Sequence, residues 1–283
     1  MAAELVKQLI DAGVHFGHRA SRWNPKMKPY IFSKRNLIHI INIKETIRGI
    51  LLAKKFIAQV TSEGKDVLLV GTKRQARKAV QDQADRVGMH WVNDRWLGGT
   101  LTNFREIRKR VGRLNELEAM EAAGQLDMYS KKAGSSLRRE MRKIRRNLGG
   151  LRKMEKLPGV IVTVDQNHEI IAVKEANKLD IPVICLLDTD GDPDLVDIPI
   201  PANDDAMRAI DLILKELCDA AAGGVQMRAK QAMEDADGAQ RRRSRRATTA
   251  RADDDGKEAD IAEIAGESAP ETPPAPAAPA ENQ

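Results

Sequence analysis

The sequence predicts an α/β fold, a three-layer sandwich in which helices cover both faces of a mostly parallel sheet, interrupted by an inserted antiparallel helical hairpin. Three observations carry this. Val67-Leu68-Leu69-Val70 is a short, continuous apolar run, and the mostly apolar segments Val160 to Asp165 and Ile181 to Leu187 repeat the idea; such runs suit strands buried on both faces. Helical spacing follows the first two, reaching Val87 after one and spanning Glu169 to Lys178 after the other; this alternation implies parallel strands joined by crossover helices. Residues 102–151 carry no strand signal, but hold two narrow apolar stripes, Ile107, Val111, Leu114 and Leu137, Met141, Ile144, Leu148, Leu151. Their steps of three and four are those of a coiled-coil seam.

Taken in order, the chain opens with a short helix over Met1 to Ile10, with Leu5, Leu9 and Ile10 on one side. Gly13 to Pro29 reads as a loop, punctuated by Gly17 and Asn24-Pro25. Tyr30 to Ile43 is apolar enough for an extended segment, and Lys44 to Val60 returns to helical spacing. The hairpin turns near Ala122 to Gly124 or slightly later. Beyond it, Asp197 to Ile200 supplies a fourth strand, and Asn203-Asp204-Asp205 offers capping residues for a helix from Ala206 to Ala222. The expected division is a discontinuous sheet domain (1–101 and 152–225), a coiled-coil hairpin (102–151) and a disordered tail (226–283). Ala, Pro and Glu dominate the tail, which has few large apolar residues to offset the entropy of ordering.

The formal charge is +6, but residues 237–283 hold 7 Lys+Arg against 10 Asp+Glu, so the first 236 residues carry +9. That excess favours a polyanion; by sign alone, ribosomal RNA, other nucleic acid or an anionic membrane would fit. No run of about 18 apolar residues exists to span a membrane, and Met1 to Asp11 lacks the apolar core of a secretory signal. Cys185 and Cys218 lie in apolar runs and read as buried thiols of a reducing compartment.

Candidate chemistry is concentrated in three places. Arg19, Arg22, Lys26, Lys28, Lys34 and Arg35 are interleaved with Phe16, Trp23, Tyr30 and Phe32. Cations neutralise phosphate and aromatic faces can stack on bases; here the aromatics are expected mostly to pack and the cations to face RNA. Gly71-Thr72-Lys73-Arg74 lies between a strand and a helix, where backbone amides can hold a phosphate. It is not a P-loop, and there is no Gly-x-Gly-x-x-Gly. The second hairpin helix is strongly basic, with Arg138, Arg139, Arg142, Lys143, Arg145 and Arg146 opposed nearby only by Glu140 and Glu155.

Two other patterns read as structural. His15 and His18 have no cysteine or carboxylate nearby in sequence to complete a metal site, so no metal is expected. Asp165, Asp188, Asp190, Asp192 and Asp194 sit at strand ends, but Asp188-Thr189-Asp190-Gly191-Asp192-Pro193 has the composition of a turn. Without a paired nucleophile or phosphate loop, no catalytic residue, cofactor or small-molecule substrate is expected. A nucleotide-binding α/β enzyme and a coiled-coil protein-interaction module are the competing readings.

Several blocks resemble bacterial small-subunit ribosomal protein S2 (the S-two family). They are Ala12-Gly13-Val14-His15-Phe16-Gly17-His18, Arg22-Trp23-Asn24-Pro25-Lys26-Met27, Gly71-Thr72-Lys73-Arg74-Gln75-Ala76, Arg95-Trp96-Leu97-Gly98-Gly99-Thr100-Leu101-Thr102-Asn103-Phe104, Leu148-Gly149-Gly150 and Ile200-Pro201-Ala202-Asn203-Asp204-Asp205-Ala206. They cover Met1 to about Ala222 in the family's order. The resemblance implies a Rossmann-like sandwich with a protruding coiled-coil hairpin, and a non-enzymatic protein, cytoplasmic and ribosome-associated, between head and body of the small subunit. Its implied partners are small-subunit ribosomal RNA and neighbouring ribosomal proteins, including the large mRNA-binding first protein of the subunit, with no membrane partner. The expected RNA contacts are Arg19, Arg22, Lys26, Lys28, Lys34, Arg35, Lys73, Arg74, Arg95, Arg142, Arg145 and Arg146. Asp180 stands where the family usually has Gly, and Gly159 where Asp is usual. Trp96 to Asn103 reads as a hinge into the hairpin: an aromatic anchor, a glycine pair and helix-capping residues.

Overall fold

The computed structural model describes residues 2–231 and residue 233. They divide into a unit of residues 1–229 and a second from residue 230, of which residues 230, 231 and 233 are described and helical. Of the tail expected to be disordered, residues 226–231 and 233 are helical, and the rest lies outside the described residues.

Five strands form the central sheet: β4 (Val67–Val70), β5 (His90–Val92), β6 (Val160–Val164), β7 (Val183–Leu187) and β8 (Ile198–Pro201). All neighbours are parallel and the order is β5-β4-β6-β7-β8. The three apolar runs become its three central strands, buried at every position because both faces are covered. The short edge strand β5 contains His90 and Trp91 and has no apolar run to announce it.

Alternate side chains point to opposite faces. Leu69, Val162, Ile184 and Ile200 pack against Leu9 of α1 (Ala2–Asp11), Ile50 and Ile57 of α2 (Ile43–Ser62), Val80 of α3 (Arg77–Val87), and Ile210, Ile213 and Leu217 of α7 (residues 207–229). On the other face, Leu68, Val70, Ile161 and Val183 meet Ala172, Val173 and Ala176 of α6 (Ile170–Lys178) and the base of the helical pair. Burying each such Val, Leu or Ile contributes roughly 1.5–3 kcal/mol. The last helix continues beyond Ala222 to the end of this unit.

The helical pair is α4 (Phe104–Ala122) and α5 (Lys131–Leu148), joined through a 3-10 turn at Gln125–Asp127. Ile107, Val111, Leu148 and Leu151 join the sheet's core, whereas Leu114, Leu117 and Met141 form a separate cluster flanked by Met120, Leu137 and Ile144. The outer half is therefore held by its own packing.

The segment expected to be loop, Gly13 to Pro29, instead holds β1 (Phe16–Arg19) and most of a 3-10 turn, Pro25–Tyr30, capped by the Asn24 side chain, whereas the extended segment expected over Tyr30 to Ile43 supplies β2 (Ile31–Arg35) and β3 (Ile38–Ile41); β1 and β2 flank β3 in a small antiparallel sheet. Met27, Tyr30 and Ile31 seat this part against Cys185 and Leu187 of β7. Both cysteines are buried and free. Among the described residues no helix is long and apolar enough to cross a membrane.

Candidate nucleic-acid interface

The chain leaves β4 towards β5 on one side and leaves β6 towards β7 on the other, so the carboxyl ends of β4 and β6 form a topological switch point, where open α/β sheets commonly bind ligands. Here the position is filled by the protein's own groups. Thr72 donates its backbone N–H and its hydroxyl to Glu169 Oε1, at 2.7 and 2.6 Å. Lys73 Nζ lies 2.8 Å from Asp204, 2.7 Å from Asp205 and 3.5 Å from Asp165. Burial alone would lower the Lys73 pKa, but the Asp204 and Asp205 hydrogen bonds outweigh it and raise it. The Thr72 donors and the Lys73 charge, expected to meet phosphate, are thus matched internally, while Arg74 stays exposed.

A histidine joins this cluster. His18 donates its backbone N–H to Asp188 Oδ1 and Thr189 Oγ1, both at 3.0 Å, and its Nδ1 lies 2.9 Å from Asp188 Oδ2. The hydrogen bond to Asp188 raises the His18 pKa to about 9, against the opposing effect of burial. Burial pushes Asp204 up to about 7, with help from the Asp165 charge. His18, Asp188 and Asp204 each present a polar atom, all within 4.8 Å of one another, but a protonated His18 donates to Asp188 and Lys73 already holds Asp204, whereas a metal-ligating histidine must be neutral. This corrects the expectation that no carboxylate reaches His18: Asp188 and Asp204 are distant in sequence, and β7, the turn after β8 and β1 bring them together. Asp188 is also more than a turn residue, since it is buried and clamps β1 to the end of β7. The neighbouring Asp192 does act as a turn residue, capping Asp194 N–H.

The basic residues divide by their partners. Lys26 pairs with Asp192 and Asp194 at 2.8 and 2.7 Å, Arg145 with Glu118 at 2.8 Å, and Arg146 approaches Asp94 at 3.9 Å. Arg19, Arg22, Lys28, Lys34, Arg35, Arg74, Arg95 and Arg142 are exposed and have no ion pair among the described residues. The small sheet brings Arg19 and Arg35 to either side of Ile38. Its aromatics only partly follow expectation. Tyr30 packs and Trp23 lies 5.3 Å from the His39 ring, but Phe32 is 75% exposed and Phe16 48%. β2 is an edge strand exposed from Phe32 to Arg35, so alternation there does not place a side chain in the core.

The carboxylate of Glu175 on α6 organises the hinge before α4, and sequence reasoning missed it. It accepts from Trp96 Nε1 (3.2 Å), the backbone amides of Gly99 (2.7 Å), Leu101 (3.0 Å) and Thr102 (3.2 Å), and the Thr102 hydroxyl (3.2 Å). Burial opposes ionisation of Glu175, but these donors prevail and its pKa is lowered. Asn103, expected to cap α4, makes no side-chain cap bond. The one available signal was a carboxylate beside Ala172, Val173 and Ala176 on the buried side of a helix.

Fold and surface together define a doubly covered parallel α/β protein whose switch point is occupied by internal ion pairs and whose open cations lie elsewhere. The family model described as "Ribosomal protein S2" matches residues 9–224. The small ribosomal subunit protein uS2 of Rhodopirellula baltica is 57% identical over 224 residues, covering 79% of this chain and 86% of that protein. Its namesake in Nocardia farcinica is 53% identical over 236 residues, covering 83% of each, and that of Syntrophobacter fumaroxidans 51% identical over 224 residues, covering 79% and 82%. The chain belongs to the ribosomal protein S2 family, as its sequence blocks led us to expect. The family is structural and non-enzymatic.

Proposed function

We propose that this protein is a structural constituent of the small ribosomal subunit that binds ribosomal RNA and neighbouring ribosomal proteins, among them the large mRNA-binding first protein of the subunit, in the cytoplasm. The observation that carries the RNA-binding reading is the group of exposed cations around the small sheet, Arg19, Arg22, Lys34 and Arg35, which have no ion pair among the described residues. Desolvated phosphate is the natural partner of such cations. Arg74, Arg95 and Arg142 extend the basic surface, and we read α4 and α5 as a coiled coil that displays Arg142. Lys26, Lys73 and Arg145 rank below these, because carboxylates already hold them.

The test is binding of protein-free small-subunit ribosomal RNA by the full chain across a salt series. The variant Arg19→Glu/Arg22→Glu/Arg35→Glu removes three phosphate contacts, so its log-affinity against log-salt slope should be shallower by about three. An unchanged slope and affinity would sink the assignment of these residues.

A further inference from the structure

We infer that the tip of the α4–α5 pair is a seat for one unpaired RNA nucleotide, its base on Tyr129 and Met128 and its phosphates beside Lys131 and Lys132. This rests on the RNA-binding reading above and adds a site and a ligand class to it.

Met128 is 87% exposed and Tyr129 48%, although contacts to α5 tie down the turn that carries them. The preceding Leu126 is buried, and its carbonyl oxygen lies so near Gly134 of α5 that an added Cβ would approach it to 3.0 Å. Asp127 pairs with Arg138, which also approaches Glu121 at 3.9 Å, and the Ser130 hydroxyl caps the Ala133 N–H. This turn leaves a thioether and a phenol ring open to solvent at neighbouring positions, and aromatic faces stack on bases whatever their sequence.

The charge at the tip is the second observation. Lys131 and Lys132 are exposed in the first turn of α5, which contains no acidic residue. Cations at a helix N-terminus are disfavoured by the peptide dipoles, so local helix stability does not account for them. The nearby acids Asp127 and Glu121 are engaged by Arg138. An anionic occupant satisfies the lysines, and an occupant with a flat apolar face satisfies Tyr129. A nucleotide has both. A stable protein interface buries about 800 Å² on each partner, far more than two side chains at a turn offer, so a docked protein fits the tip less well.

The experiment uses the full chain and a protein-free small-subunit ribosomal RNA transcript. Tyr129→Ala should weaken binding roughly 5- to 100-fold, the usual effect of losing one stacked base, and leave the salt slope unchanged; Tyr129→Phe should restore it. Lys131→Gln/Lys132→Gln should instead make the slope shallower by about two. Both positions are exposed, so thermal unfolding checks that the fold is intact. If Tyr129→Ala binds RNA like the parent, the seat is refuted while the RNA-binding reading stands. If the parent itself does not bind RNA, that broader reading fails. If Tyr129→Ala binds RNA normally but loses co-sedimentation with the small subunit, the tip docks a protein and the nucleotide assignment is wrong.

Discussion

Replacing Glu175 should test how the hinge into the helical pair is held. The carboxylate is almost buried and serves five donors: three backbone amides, an indole N–H and a hydroxyl. Glu175→Ala leaves the Leu101 amide and the Trp96 indole without an acceptor in a buried setting, and the Gly99 amide in a partly buried one. Each buried donor left unsatisfied costs roughly 1–3 kcal/mol. Allowing for relaxation and water entry, the loss should be about 3–5 kcal/mol, at the upper end for a single substitution. Glu175→Gln keeps one acceptor oxygen but points an NH₂ at backbone donors, and should cost about 2–3 kcal/mol. The assay is urea unfolding followed by tryptophan fluorescence, with limited proteolysis at Gly98-Gly99 to detect local loosening. Because the folded-state pKa of Glu175 is lowered, its contribution is present above the unfolded value of about 4.5 and lost as pH falls through the folded value. Glu175→Gln should therefore flatten the acid limb of the stability profile. A Glu175→Gln protein within about 0.5 kcal/mol of the parent, with the same acid limb, would refute this account of the hinge.

Two further outcomes follow from the folded geometry. His18 has its pKa raised from 6.5 to about 9, so its pairing with Asp188 stabilises fully below pH 6.5 and is lost as pH rises through about 9; His18→Gln should lower stability at neutral pH and abolish that alkaline decline, as measured by urea unfolding across the range. Asp180 adopts a left-handed backbone (φ +53°), which glycine tolerates better, so Asp180→Gly should raise stability by about 0.5–1 kcal/mol, and a loss measured by the same unfolding assay would contradict it.

The central sheet and the helical pair were legible because their signals are local and periodic. Val67 to Val70 and Val183 to Leu187 are apolar without a break, and Val160 to Val164 is broken only by Thr163, a pattern that suits a strand covered on both faces. Ile107, Val111, Leu114, Met141 and Leu148 mark the buried faces of α4 and α5 by spacing alone. β1 and β5 escaped notice because short strands containing Gly17, His18 or His90 carry little periodicity. Family membership was legible too, through blocks such as Arg95 to Phe104 and Ile200 to Ala206.

The partners of the charged groups were not legible. Sequence by itself determined how many cations the chain carries, where they cluster and which segments alternate as strand and helix, since composition and periodicity act over a few residues. Only the tertiary structure decided that Lys73 is held by Asp165, Asp204 and Asp205, that Asp188 and Asp204 reach His18, and that Glu175 gathers Trp96, Gly99, Leu101 and Thr102. Those pairings join residues about 70 to 190 positions apart. A Coulombic or hydrogen-bonded contact depends on distances of a few ångströms, and it takes the parallel order of β4, β6, β7 and β8, with β1 and α6 packed beside it, to bring such distant residues that close.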